Sequence, residues 1–262
     1  MNLQNDFYVQ AILNYAPRTM EIKQPRVLGT KATVFVAQDQ SNKRIFRFKS
    51  NNETHRNHSI SQVLYPYCIR VPRSDIYTYQ DKEMEVYPYM QGRTLFEYLQ
   101  QGMTKSELAR VYADVAIEIK KLSMIPLDKF QGINNKDCAQ VAQNNILNKT
   151  KSTFLANGVY YATQIMNAGP KTICHCDLNP RNILLDDNKH LSGILDLEAV
   201  SIANINFATA IAGYYLKLQG QDPNLFYKTI DMVIPDQLNA ARIKVLEKVF
   251  SFYFARYIPR QK

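Results

Sequence analysis

Two aspartates and an asparagine form the clearest chemical pattern in the sequence. Asp177 and Asn182 lie within His175-Cys176-Asp177-Leu178-Asn179-Pro180-Arg181-Asn182-Ile183-Leu184-Leu185, and Asp196 follows in Gly193-Ile194-Leu195-Asp196-Leu197-Glu198. An acid between two short apolar runs, an amide shortly after it and a second acid one hairpin further on suit phosphoryl transfer. The transition state of that reaction is loose, so the protein mainly positions reactants and neutralises charge. One carboxylate must meet the attacking hydroxyl, and Asp177 is expected to do so as catalytic base. Magnesium takes hard oxygen ligands and keeps several waters, so one or two protein oxygens suffice; Asn182 and Asp196 are expected to supply them.

The elements that must position these groups change character along the chain. The part up to about residue 87 reads as short strands with little helix. Thr33-Val34-Phe35-Val36-Ala37 and Arg44-Ile45-Phe46-Arg47-Phe48-Lys49 flank a polar turn and form a hairpin. In its second strand Phe46 and Phe48 share one face, and Ile45, Arg47 and Lys49 the other. A short helix is expected over residues 54–64 and two further strands over 74–79 and 82–87. Pro88 and Gly92 interrupt the pattern, which places an interlobe linker at residues 88–95. The expected organisation is therefore an N-terminal lobe at 1–87, that linker, and a C-terminal lobe at 96–262.

Beyond the linker the chain reads as helical. Thr104 and Glu107 form a capping box, and Leu108, Val111, Tyr112, Val115, Ile119 and Leu122 recur at helical spacing. A second helix is expected over 138–166. Very short strands follow at 172–174, 183–185 and 191–195, with Asp186-Asp187-Asn188-Lys189 as the turn between the last two. From about residue 206 the chain is helical again, with Leu238, Val245, Leu246 and Val249 on the inner face of the last helix. A β-rich lobe joined to a helical lobe leaves a cleft, the usual place for a small ligand.

The segment from His175 to Asp196 resembles the catalytic and metal-binding loops of the aminoglycoside phosphotransferase and choline kinase family, with its His-x-Asp-x-x-x-x-Asn and its strand ending in Asp. The resemblance spans about residues 29–210. It implies an α+β, bilobal, protein-kinase-like fold, with a small antiparallel-sheet N-terminal lobe and a larger helical C-terminal lobe. It also implies a small-molecule kinase using ATP or GTP with magnesium, with Asp177 as base, Asn182 and Asp196 as metal ligands and His175 as a brace of the loop. Gly29-Thr30-Lys31-Ala32-Thr33 resembles the nucleotide loop. The strand with Arg47 and Lys49 resembles the one that carries a phosphate-binding lysine. Tyr87-Pro88-Tyr89-Met90 resembles the segment that holds the base. Gly29, Arg47, Lys49, Tyr87, Tyr89 and Met90 are therefore the expected nucleotide contacts.

Departures from the family pattern keep a second reading open. The lysine position holds Arg47, a planar fork rather than a point charge. Glu53 is the only acid near the place where a helix glutamate should orient that cation. A later bracing acid falls on Ala208. A catalytically weak or inactive nucleotide-binding module of the same fold is the alternative. Glu198 either sits near the metal or points to solvent.

Blander readings set limits on the other groups. Cys174, His175 and Cys176 are consecutive, and alternate faces of a strand cannot jointly hold zinc. His55 and His58 read as a solvated helix face. The net charge of +9, from 32 Lys+Arg against 23 Asp+Glu, attracts anions, but no nucleic-acid motif accompanies it and no nucleic-acid partner is expected. An acceptor that is neutral or anionic fits that charge better than a polycation. Four cysteines without scaffold spacing, an N-terminus unlike a signal peptide and the lack of a long apolar run lead to the expectation of a cytoplasmic protein without membrane insertion.

Overall fold

The computed structural model describes residues 3–19, 21–24, 32–67, 69–133 and 151–254. The chain divides into two compact units, Met1–Gln91 and Gly92–Lys262. The expected nucleotide loop at Gly29 and the first part of the expected helix over 138–166 lie outside the described residues.

In the N-terminal unit, helix α1 (Leu3–Tyr15) precedes strands β1 (Glu21–Lys23), β2 (Thr33–Gln38) and β3 (Lys43–Phe48). Helix α2 (Asn51–Leu64) and strands β4 (Asp75–Tyr79) and β5 (Lys82–Pro88) complete it. The strands form one antiparallel sheet in the order β1-β2-β3-β5-β4. Asp39 closes the β2–β3 turn by accepting the Ser41 and Asn42 backbone N–H groups at 2.8 and 2.6 Å, a local bond that favours turns over strand. Gln80 and Asp81 both adopt positive φ between β4 and β5, as the tightest hairpin turns require.

Strand periodicity sorts the two faces of this sheet. Phe35, Ala37, Phe46, Phe48, Met84 and Val86 are buried together with Ala11 and Ile12 of α1. Helix α1 was not foreseen, yet Tyr8, Ala11, Ile12 and Tyr15 recur at helical spacing and pack on that face. The other face carries Arg47 and Glu85, and α2 packs beside them on β5. The buried side of α2 is largely polar: Thr54, Arg56, Asn57 and Ser61 accompany Ile60 and Leu64. Ser61 stitches it to the following loop, donating to the Pro72 carbonyl at 3.1 Å and accepting from the Ser74 N–H at 2.9 Å.

The C-terminal unit begins with strand β6 (Arg93–Thr94) and helices α3 (Leu95–Gln101), α4 (Lys105–Ser123) and α5 (Thr153–Met166). Strands β7 (Thr172–His175), β8 (Ile183–Leu185), β9 (Leu191–Ile194) and β10 (Val200–Ala203) follow, then helices α6 (Ile205–Leu218), α7 (Asn224–Val233) and α8 (Ala240–Phe254). Capping boxes start both α3, at Thr94 and Glu97, and α4, at Thr104 and Glu107. The six apolar positions expected on the inner face of α4 are all buried. In α8 Leu246 is buried as expected, together with Ile243 and Phe250, whereas Val245 is 54% exposed and Leu238 precedes the helix, which corrects those two positions of the expected inner face. Gly213 on α6 leaves room for Tyr227, whose hydroxyl lies 2.0 Å from where a Cβ would sit and donates to Glu247 at 2.6 Å.

The three short strands around the Asp-Asn-Asp pattern do not form one sheet. β7 pairs with β10, and β8 lies between β6 and β9. The partners β6 and β10 were not foreseen, because strands of two and four residues carry too little pattern of their own. Among the described residues no helix is long and apolar enough to cross a membrane.

Candidate active site

Strand β7 ends at His175, which sits opposite Val200 of β10. One residue on, the Cys176 N–H donates to the Ala199 carbonyl at 3.0 Å, and the chain then turns into the loop that carries Asp177 and Asn182. The His175 ring is 2% exposed. Its Nδ1 accepts the Asp177 N–H at 3.2 Å and its Nε2 lies 2.9 Å from the Leu195 carbonyl. A ring that accepts at one nitrogen and donates at the other is neutral, with its proton on Nε2. Both ring nitrogens are therefore engaged, and the imidazole ties the loop to the residue just before Asp196.

Burial lowers the His175 pKa, while the Leu195 carbonyl and the Asp177 and Asp196 carboxylates pull it upward. Both acids thus lie within electrostatic reach of one ring. A folded-state pKa below the ordinary imidazole value of about 6.5 means that the unfolded chain binds the proton first. The contribution to stability is full above that value and is lost as pH falls through the folded pKa. The melting temperature is expected to drop as pH is lowered below about 6.5, with the His175 nitrogen shifts still those of a neutral Nε2–H ring. Protonation of His175 in the folded protein near neutral pH would overturn this assignment.

Asp177 and Asn182 are locked to each other. The Asn182 Nδ2 donates to the Asp177 carbonyl at 2.9 Å and to Asp177 Oδ2 at 3.2 Å. The Asn182 N–H donates to the Asn179 carbonyl, and the Asn182 carbonyl accepts the Leu195 N–H at 2.8 Å. Asp177 Oδ1 is buried and has no hydrogen-bond partner among the described residues. An orphaned buried carboxylate oxygen costs about 1–3 kcal/mol, so an atom left that way marks a position kept for something other than stability. Asp196 adopts the left-handed conformation, φ 62° and ψ 60°, ahead of a short turn over Leu197–Ala199. Strain of this kind in a non-glycine residue concentrates at functional sites. Glu198 lies half-buried inside that turn.

Residues not foreseen also hold the loop. The Phe96 N–H of α3 donates to the Pro180 carbonyl at 3.0 Å. Asn179 Oδ1 accepts the Arg181 N–H at 2.9 Å. The Arg181 guanidinium stacks 3.9 Å from the Phe96 ring centre. The aromatic just past the linker was the available signal, but its partner lies far along the chain.

In the N-terminal unit, Arg47 on β3 faces Glu85 on β5, with charged groups 3.7 Å apart. Burial raises the Glu85 pKa, and the Arg47 and Lys49 charges oppose that shift. Lys49 follows β3 directly. Glu53 stands in the first turn of α2, where its carboxylate accepts the Ser50 hydroxyl at 3.1 Å. An acid that does stand beside Arg47 is Glu85, which the sequence pattern did not mark. Tyr87 pairs with Ile45 in the ladder. The Tyr89 N–H donates to the Lys43 carbonyl at 2.9 Å, the Lys43 ammonium lies 3.7 Å from the Tyr89 ring centre, and Met90 follows, half-buried. His55 and His58 go to separate partners, Glu83 and the Ser74 carbonyl.

The phosphotransferase enzyme family (APH) matches residues 25–207, which include the loop from His175 to Asn182, Asp196 and the Arg47 strand. The chain belongs to this family. Among solved structures, this phosphotransferase is similar to APH(2")-IIIa in its complex with GDP and kanamycin, with a TM-score of 0.70 at 15% identity over 94% of this chain and 88% of that one. It is also similar to a thermostable mutant of APH(4)-Ia in a ternary complex with ADP and hygromycin B, with a TM-score of 0.64 at 11% identity over 94% and 90%. An aminoglycoside-3'-phosphotransferase of type VIII matches with a TM-score of 0.64 at 12% identity over 93% and 98%. At such identities the likeness is one of fold, the protein-kinase-like fold. No curated protein sequence matches the chain.

The donor atoms of the phosphotransferase suit magnesium. Because the Asn182 amide nitrogen is committed to Asp177, its Oδ1 remains as the acceptor, the atom a hard cation requires. Among the described residues no three His, Cys, Asp or Glu side chains gather into a site of their own. Magnesium held by one or two protein oxygens plus substrate phosphates needs no such cage. Ala208, the position at which the family pattern would put a bracing acid, is buried in α6 at 7% exposure. The start of that helix is held by Asn204, which accepts from the Asn206 N–H and donates to the Ala168 and Pro170 carbonyls.

Proposed function

We propose that this phosphotransferase is a small-molecule kinase, moving the terminal phosphoryl group of ATP or GTP onto a hydroxyl of a small acceptor. One observation carries the reading: the buried, unpartnered Asp177 Oδ1 stands beside an asparagine oriented by the same aspartate. The solved relatives that bind GDP, ADP or AMP-PNP support a nucleotide donor.

In this reading the acceptor hydroxyl donates its hydrogen bond to Asp177 Oδ1. Its oxygen bonds to the γ-phosphorus as the bond from that phosphorus to the β–γ bridging oxygen breaks. The nucleoside diphosphate leaves with that electron pair, and the hydroxyl proton ends on the Asp177 carboxylate. Asn182 Oδ1 and the Asp196 carboxylate would hold magnesium, which neutralises charge on the phosphate oxygens. His175, neutral and buried, keeps Asp177 and the Asp196 strand end in register. Arg47 and Lys49 contact the phosphates, and Tyr87 at the end of β5, with Tyr89 and Met90 in the linker over 88–95, holds the base.

The acceptor is neutral or anionic. The chain carries a net charge of +9. Two of the acids that could line a cationic pocket are already engaged: Glu247 accepts from Tyr227 and Asp222 from the Asn224 N–H. Arg181, on the catalytic loop, has no acid within ion-pair distance among the described residues, which favours an acceptor with negative charge. Ala208 favours the second reading, a nucleotide-binding module with weak or no turnover.

The test is a panel of alcohols offered with magnesium and ATP or GTP, reading nucleoside diphosphate release. The panel contains aminoglycosides, choline, neutral sugars, and phosphorylated or carboxylated sugars. Acceptor-dependent release is expected from the neutral or anionic group, and Asp196→Ala is expected to lower it at least about 100-fold, the scale of losing a group that acts only in the transition state. Nucleotide binding without release for any acceptor leaves the module reading standing. Absence of nucleotide binding ends both.

A further inference from the structure

Arg47 and Glu85 are directly opposed residues of the β3–β5 ladder. Their charged groups lie 3.7 Å apart, and their side chains are 14% and 6% exposed. A pair of this kind is held by the hydrogen-bond register of the sheet and does not depend on where a neighbouring helix sits. The buried residues of α2 are Thr54, Arg56, Asn57, Ile60, Ser61 and Leu64, none of them acidic. Its one first-turn acid, Glu53, is bonded to Ser50. We propose that Glu85 is the positioning residue that fixes the Arg47 guanidinium for the nucleotide phosphates, a sheet-borne substitute for the expected helix glutamate. The inference deepens the kinase reading and rests on it.

A buried charge is costly without compensation. The Glu85 carboxylate is compensated by the Ser74 and Asn57 side chains as well as by the Arg47 and Lys49 charges, so it is anchored on its own strand and can hold Arg47 in place. At 3.7 Å the contact is Coulombic and longer than a hydrogen bond. A cation placed before nucleotide arrives loses little freedom when phosphate binds.

Glu85→Gln keeps the side-chain shape and removes the charge. Two effects on nucleotide affinity then oppose each other, since Arg47 is less well held but also less neutralised. The discriminating quantity is therefore kcat, measured as magnesium-dependent hydrolysis of ATP and GTP by the full chain. In Glu85→Gln, kcat is expected to fall about tenfold or more with a smaller change in KM, the scale of one misplaced charge-assisted contact. Glu85→Asp, which restores the charge, is expected to recover part of it. In the background of Arg47→Met, Glu85→Gln is expected to cost nothing further, because its effect passes through Arg47.

An unchanged kcat in folded Glu85→Gln overturns the inference, as does a full additional loss in the double variant. So does a loss in Glu53→Gln while Glu85→Gln turns over like the wild type. If Glu85→Gln fails to fold, the comparison of Arg47→Met with the Arg47→Met/Glu85→Asp double variant decides by the same additivity rule. A wild-type chain that neither binds nor hydrolyses nucleotide removes the kinase reading, and this inference with it. A wild type that turns over while Glu85→Gln is unaffected removes the inference alone.

Discussion

Asp177→Asn is expected to leave the fold intact and to lower kcat by about a hundredfold to ten-thousandfold, the range set by losing a positioned general base. The substitution preserves shape and keeps an oxygen able to accept from Asn182 Nδ2, so the loop should hold. What disappears is a carboxylate oxygen that can take a proton. Nucleotide KM is expected to move far less than kcat, because in the proposed mechanism this carboxylate meets the acceptor hydroxyl and not the phosphates. The stability result is equally diagnostic. Oδ1 is buried and unpartnered in the wild type, so its removal relieves a desolvation cost of about 1–3 kcal/mol. In Asp177→Ala that relief opposes the lost Asn182 bond, and the melting temperature should stay within a few degrees of the wild type. An active Asp177→Asn enzyme would sink the assignment, and a large drop in melting temperature would make Asp177 a structural residue instead.

Gly92→Ala is the substitution expected to damage the fold most. Gly92 has φ +136°, and a Cβ there would sit 2.4 Å from the Leu185 carbonyl oxygen and 2.8 Å from Ser192 Oγ. The carbonyl belongs to β8, which is pinned between β6 and β9 and cannot retreat. Backbone strain of about 1–3 kcal/mol and overpacking of about 1–3 kcal/mol add to about 2–6 kcal/mol, a large part of a typical domain's stability. Gly102→Ala is the matched comparison: φ is +87° but nothing lies within 4 Å of the added Cβ, so only the strain applies. Urea unfolding should separate the two clearly, with Gly92→Ala far the less stable. Equal midpoints would mean that β6 does not need its close approach to β8. Activity should fall with stability, since β8 continues directly from Asn182.

The pattern proposed to be catalytic was legible because it is local. Asp177, Asn182 and Asp196 lie within one loop and one hairpin, so their spacing carried the pattern without knowledge of distant contacts. The capping box of α4 and its apolar stripe were legible for the same reason. Elements defined by a partner were not. The two residues of β6 are a strand only because Leu184 and Leu185 lie beside them, and β10 is one only because β7 is its neighbour. Glu85 reads as a solvent-facing acid between Met84 and Val86, yet all three are buried. Val245 fits the apolar rhythm of α8 beside Leu246, but the packing of that helix turns Ile243 and Phe250 inward with Leu246 and leaves Val245 exposed.

By itself, the order of residues determined the chemical groups on offer and the local turns that present them: an acid, an amide and a second acid on a short-strand loop. The tertiary structure alone decided which acid stands against Arg47, which proton His175 keeps and which Asp177 oxygen is left without a partner. Each of those depends on groups brought together from separate strands. A charge, a tautomer or an unmet hydrogen bond is a property of the neighbours in space, and local spacing holds no record of them.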